Sequence, residues 1–129
     1  MTAHPRPTGV HLILFSSDPQ ADQTFVDDVL GLGSVREGGG PMIFALPPAE
    51  IHVAQGRRQF THPHAGDDLS GAVIYLMCDD LPRFVDHLRS RQVPCAEITE
   101  EEFGLRTVVT LPSGGQIGLY QPSHRTPFD

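Results

Sequence analysis

Two stretches of the chain carry the same run of apolar and polar positions. The first opens on Val10-His-Leu-Ile-Leu-Phe15, an apolar run of strand length. It passes through Ser17-Asp18-Pro19 into Ala21, Phe25, Val26, Val29 and Leu30, which fall on one side of a helix. Asp18 is placed to cap free N–H groups, Pro19 suits the first helical position, and Gly31 and Gly33 suit the end. Weaker strand signals follow at Ser34–Glu37, Met42–Leu46 and Glu50–Gln55, separated by a Gly38-Gly39-Gly40 turn and by Pro47-Pro48. The pattern then restarts. Ala72–Cys78 reads as a strand, Asp79-Asp80 as a cap, and Leu81, Phe84, Val85 and Leu88 as the buried face of a second helix. Val93–Ile98 is strand-like, Glu100-Glu101-Glu102 reads as a solvated turn, and Leu105–Leu111 and Gln116–Gln121 read as the last two strands, joined by Pro112-Ser-Gly-Gly115.

The order strand, helix, three strands therefore occurs twice. His11 stands seven residues before Asp18, as Ala72 stands seven before Asp79, and Leu46-Pro47 leads to Ile51-His52-Val53 as Leu111-Pro112 leads to Ile117-Gly118-Leu119. We read an internal duplication. A flexible arm (1–8) precedes one domain (9–122), built from a first module (9–55), a polar linker (56–70) and a second module (71–122); a polar tail (123–129) follows.

Alternation along a strand assigns faces. Leu12, Leu14, Val73, Tyr75 and Met77 are expected under the helices. His11, Ile13, Phe15, Ala72, Ile74 and Leu76 are expected on the opposite face, with Glu50, His52, Ala54, Gln116, Gly118 and Tyr120. Two curved sheets edge to edge would enclose a groove lined by these residues, with Arg106 at its margin, placed to meet a carboxylate.

On His11 through Asp18, Phe25 with Leu30-Gly31-Leu32, Ala72 through Asp80 and the ending Pro112-Ser-Gly-Gly-Gln-Ile-Gly-Leu-Tyr-Gln-Pro122, the chain resembles the vicinal oxygen chelate superfamily. That group holds glyoxalase I, the bleomycin-resistance proteins and the extradiol dioxygenases. The resemblance covers residues 9 to 122. It implies an α+β fold of two βαβββ modules, with curved mixed sheets around a groove, and a homodimer. It also implies metal ligands on the first and last strands of each module, which carry over to His11, His52, Ala72 and Gly118. Alanine and glycine offer no coordinating side chain, whereas a catalytic divalent metal takes about three protein ligands. His11 and His52 remain as candidate ligands, with Glu50 as a third and with His62 and His64 of the linker within reach of the groove. His4, His87 and His124 are assigned no role.

Composition narrows the partners. Nine arginines and no lysine face sixteen acids, for a net charge of −7. Such a surface repels nucleic acid and draws cations. No apolar run approaches the ~18 residues that span a bilayer, and the first residues carry no apolar signal, so a cytoplasmic protein without a membrane partner is expected. Cys78 and Cys95 lack zinc or redox spacing and read as buried reduced thiols.

The function expected is the binding of a small apolar or aromatic compound in the groove, with the metal site degraded and no cofactor. Two alternatives stand beside it. One is a metal-dependent lyase, isomerase or dioxygenase using His11 and His52 with an additional ligand; the same histidines also suit general-base work without metal. The other is a non-catalytic dimeric interaction module.

Overall fold

The computed structural model describes residues 11–36, 38–39, 42–55 and 61–128. The expected arm (1–8) and the start of the expected linker (56–60) lie outside the described residues. Helix α1 (Pro19–Asp28) begins as its sequence dictates: the Asp18 carboxylate accepts from Ala21 N–H at 3.2 Å, and Gly31, at φ 71°, turns the chain away. Helix α2 (Leu81–Ser90) repeats the device, with the Asp80 side chain accepting from Arg83 N–H at 3.2 Å.

The second half of the chain is a complete βαβββ unit. Strand β5 (Tyr75–Met77), α2, and strands β6 (Thr99–Glu101), β7 (Gly104–Thr110) and β8 (Gln116–Pro122) form a sheet of order β5-β8-β7-β6. Strand β5 runs parallel to β8 and the other pairs are antiparallel. Both helices cover one face of this sheet. Phe25 of α1 and Leu81, Val85 and Leu88 of α2 meet Val109, Leu111, Ile117 and Leu119 in one apolar core. Burying each of these side chains contributes about 1.5–3 kcal/mol.

The first half keeps its helix but not a full sheet. Strands β1 (Ser34–Val35) and β2 (Ile43–Phe44) pair over two residues each. Residues 11–16 and 45–55, which the sequence predicts to include strands, join no ladder, and their apolar side chains face outward: Ile51 is 88% and Val53 87% exposed. Residues 61–70, predicted as polar linker, form a hairpin of β3 (Thr61–His64) and β4 (Asp67–Ser70). Ala65 and Gly66, both at positive φ (52° and 85°), supply the two-residue turn that matches strand twist. The Phe15 ring stacks on His62 at 4.2 Å between centroids and joins the hairpin to the body.

The two halves are tied through Asp22. Its carboxylate accepts from Ser113 N–H at 3.0 Å and from Ser113 Oγ at 2.7 Å, although 91 residues separate them. Burial alone would raise this carboxyl's pKa; hydrogen bonds from Ser16 and Ser113 outweigh it and hold the pKa below the ordinary value.

The fold is thus α+β, with mixed sheets and two helices on one side. No helix among the described residues is long and apolar enough to cross a membrane.

Candidate functional site

The open face of the main sheet, away from the helices, collects the chemistry. Its geometry follows from register. Tyr75 pairs with Gly118, so their side-chain positions share a face, and Arg106 stands opposite Tyr120 on the adjoining pair. The missing side chain at position 118 is what seats the Tyr75 ring: a Cβ built on Gly118 would collide with Cδ1 and Cε1 of Tyr75.

Three aromatic rings meet there edge to face. Tyr75 and Tyr120 lie 5.3 Å apart, Phe103 and Tyr120 5.9 Å, and Tyr75 and Phe103 6.4 Å. Phe103 is positioned by the β6–β7 turn, which the tail clasps: Ser123 N–H donates to Phe103 O at 2.9 Å. Gly104 completes that turn at φ 137°, where a Cβ would collide with Gln121 O. Arg106 Nε donates to Tyr75 Oη at 3.1 Å, and its guanidinium carbon lies 5.8 Å from the Tyr75 ring centre. At the far side Tyr120 Oη donates to Glu50 Oε1 at 2.8 Å, and His124 Nε2 lies 3.4 Å from the same oxygen. Burial and the adjacent Glu50 carboxylate push the Tyr120 phenol up to about 12, so it stays a neutral donor at physiological pH.

Beside the rings lies a cavity of about 370 Å3. Leu14, Ala72, Val73, Tyr75, Arg106, Gln116 and Gly118 contribute to its wall. A roomier hollow of about 500 Å3 lies by α2, between Leu30, Pro47, Leu76, Cys78 and Phe84. Burial and the neighbouring Asp79 push the Cys78 thiol there up to about 11, and burial raises Cys95 against the opposing effect of Arg89. Both cysteines are free and protonated at neutral pH, hence poor nucleophiles. Convergent polar groups favour the sheet face as the site.

The structure sorts the residues that the sequence singled out. Tyr120 and Arg106 come together on the open face, and Glu50 joins them. Ile74 and Leu76 do not face the groove as expected; they pack against the core on the helix side, and Ile74 also touches the cavity margin. Tyr75, expected under the helices, takes the open face instead. Alternation itself holds from Val73 to Leu76 with the two faces exchanged: Val73 and Tyr75 line the cavity, while Ile74 and Leu76 pack on the core.

His11, Ile13 and Phe15 are exposed in the unpaired first segment, and His52 is exposed in the other. Leu12 and Leu14, expected under the helices, are exposed as well. His62 and His64 flank Phe15. His124, assigned no role, reaches Glu50. Phe103 was hidden in the sequence by its acidic surroundings, although a large aromatic in a charged turn is itself a signal. Of the four positions implied for metal, Gly118 is covered by Tyr75 and Ala72 offers only a methyl group. The Glu50 carboxylate is already hydrogen-bonded to Tyr120. Among the described residues no group of three or more His, Cys, Asp or Glu side chains is placed to hold a metal ion. The donor set does not fit a divalent metal.

No family model matches the chain, and no curated protein matches it. Solved structures do. TnmS3, an antibiotic binding protein from Streptomyces sp. CB03234, is 20% identical with a TM-score of 0.57, covering 92% of this chain and 100% of that one. Lactoylglutathione lyase from Agrobacterium tumefaciens is 16% identical with a TM-score of 0.59, covering 91% and 96%. A glyoxalase/bleomycin resistance protein from Streptomyces sp. CB03234 is 18% identical with a TM-score of 0.54, covering 82% and 93%. The likeness is one of fold, and that fold serves a binding protein and an enzyme alike.

Proposed function

From this glyoxalase/bleomycin-resistance fold, we propose that the chain is a metal-independent binding protein for a small, planar apolar or aromatic compound, held on the open sheet face. The observation that carries the reading is the Tyr75 ring seated over Gly118. It closes a position from which a metal ligand would project, and with Phe103 and Tyr120 it offers edges and faces to a planar ligand. The Tyr120 phenol is held neutral and the Glu50 carboxylate is already hydrogen-bonded, which supports a binding role for this face. That one fold relative is an antibiotic binding protein supports a sequestering role.

A thermal-shift screen of planar aromatic compounds tests this. A ligand at about a hundred times its Kd stabilises the fold by about 2.7 kcal/mol, a rise in Tm of about 10 °C. We expect such a rise in the parent chain and its loss in Phe103→Ala, with EDTA treatment changing neither. Stoichiometric metal in tag-free protein that vanishes in a His11→Ala/His52→Ala double variant would overturn the reading in favour of metal chemistry.

The working unit is proposed to be a homodimer. Support comes from the outward-facing Leu12, Ile13, Leu14 and Phe15 and from Ile51 and Val53, which sit on extended segments with no sheet partner among the described residues. Exposed apolar side chains on unpaired segments suit an interaction surface. Analytical ultracentrifugation is expected to return twice the 14.1 kDa chain mass, and Ile51→Asp/Val53→Asp a single chain. A monomeric parent chain would sink this part.

A further inference from the structure

We infer that Arg106 is the anion receptor of the site, so that the compound bound there carries a carboxylate. The inference rests on the groove-binding reading above and specifies its ligand class. Arg106 is half-buried, and among the described residues it is the single charged one in the wall of the 370 Å3 cavity. Its Nε is fixed by Tyr75 Oη at 3.1 Å, and among the described residues no acceptor takes either Nη and no Asp or Glu pairs with it. In a chain with sixteen acids and nine arginines that is a notable vacancy. Arg91, by contrast, holds Asp28 at 2.9 Å on the surface.

The geometry explains the restraint. Tyr75 consumes the one N–H that lies along the arginine stem. The two terminal nitrogens, the fork that matches a carboxylate in two parallel hydrogen bonds, remain for a ligand. Around them the cavity wall offers apolar contact from Leu14, Ala72 and Val73. Gln116, on the same wall, adds an amide that can donate to an acid oxygen. Of the carboxylates on this face, Glu50 is turned to Tyr120 and His124, at the other side of the rings, and Glu101 accepts from Thr99 Oγ1 at 3.1 Å. Arg106 thus offers an anion an unpaired guanidinium fork in a chain whose net charge is −7. Aromatic body against Tyr75, Tyr120 and Phe103, carboxylate on Arg106, is the arrangement this predicts.

Three probes of one shape read it out by calorimetry: 2-naphthoate, its neutral amide 2-naphthamide, and the cationic 2-naphthylmethylammonium. The parent chain is expected to bind naphthoate at least about tenfold more tightly than the other two, the gain of a charge-assisted pair over neutral contacts. Arg106→Gln, checked for folding by circular dichroism, is expected to erase that preference while still binding the amide. Arg106→Lys keeps the charge without the fork and is expected to retain part of it. Equal affinity for all three probes, a preference for the ammonium ion, or an unchanged preference in folded Arg106→Gln would overturn the carboxylate inference and leave aromatic binding standing. Failure of all three to bind would overturn the groove-binding reading itself, and this inference with it.

Discussion

Gly118→Ala is expected to lower the stability of the fold by about 2–3 kcal/mol, the cost of forcing one methyl into a filled space. A lone methyl on a strand facing open space would be close to neutral. Here the added Cβ falls inside the Tyr75 ring. The ring has little freedom to retreat, because Arg106 holds its hydroxyl and Phe103 and Tyr120 stand at its edges. The partner variant supplies the control. Tyr75→Ala removes the obstacle, so Gly118→Ala made in that background is expected to be nearly without effect. Urea denaturation of the four species gives the coupling directly, and a large departure from additivity is the signature of contact. Additive losses would show that the ring does not occupy that seat.

Asp22→Ala is expected to cost about 3 kcal/mol near neutral pH, because one buried carboxylate carries the polar tie between the halves of the chain. Removing it leaves the Ser113 N–H without its acceptor and loosens α1 from the Pro112–Gly115 turn. Acid should have a related effect on the parent. The folded-state pKa of Asp22 lies below its ordinary value of 3.8, so its stabilising contribution is complete above that value and fades as pH falls through the folded one. The difference between the parent chain and Asp22→Asn should therefore be largest above about pH 5 and shrink as pH falls below about 4 towards the folded pKa, beneath which both side chains are uncharged. A difference that stays constant from pH 7 to pH 3 would remove the carboxylate from the account.

What the sequence made legible was local. Asp18-Pro19 and Asp80 announce two helix starts; α2 buries Leu81, Val85 and Leu88 of its predicted stripe, whereas α1 buries Phe25 and leaves Ala21, Val26, Val29 and Leu30 half-buried. Strands β7 and β8 stand within a residue of their expected limits, because continuous Val, Ile and Leu signals lie between unmistakable turns. What it obscured was pairing. Val93–Ile98 has strand character, but Pro94 lacks an N–H, and only Cys95 bridges to Val109; the ladder forms later, at Thr99–Glu101, where charge alone suggested a solvated turn. Residues 11–15 have the composition of a strand, yet a strand exists only where another offers its hydrogen bonds, and no local pattern reports that. The same limit governs the site. Arg106 and Tyr120 were legible as groove residues, whereas Tyr75 was assigned to the wrong side because alternation fixes which residues share a face but not which face meets the helices. Glu50 was read as a groove residue and candidate metal ligand; its partnership with Tyr120, 70 residues on, lies beyond any spacing rule.

The two margins of the main sheet are unequal, and this fixes the direction in which the protein can extend. The outer strand β6 is Thr99-Glu100-Glu101, flanked by Glu97 and Glu102, so a neighbour approaching along it meets a palisade of like charge. The opposite outer strand, β5, is Tyr75-Leu76-Met77, with no charge at all. Edge-to-edge growth into fibrils and adhesion to a foreign strand would therefore begin at β5, and a lysine placed there is the change that would oppose both.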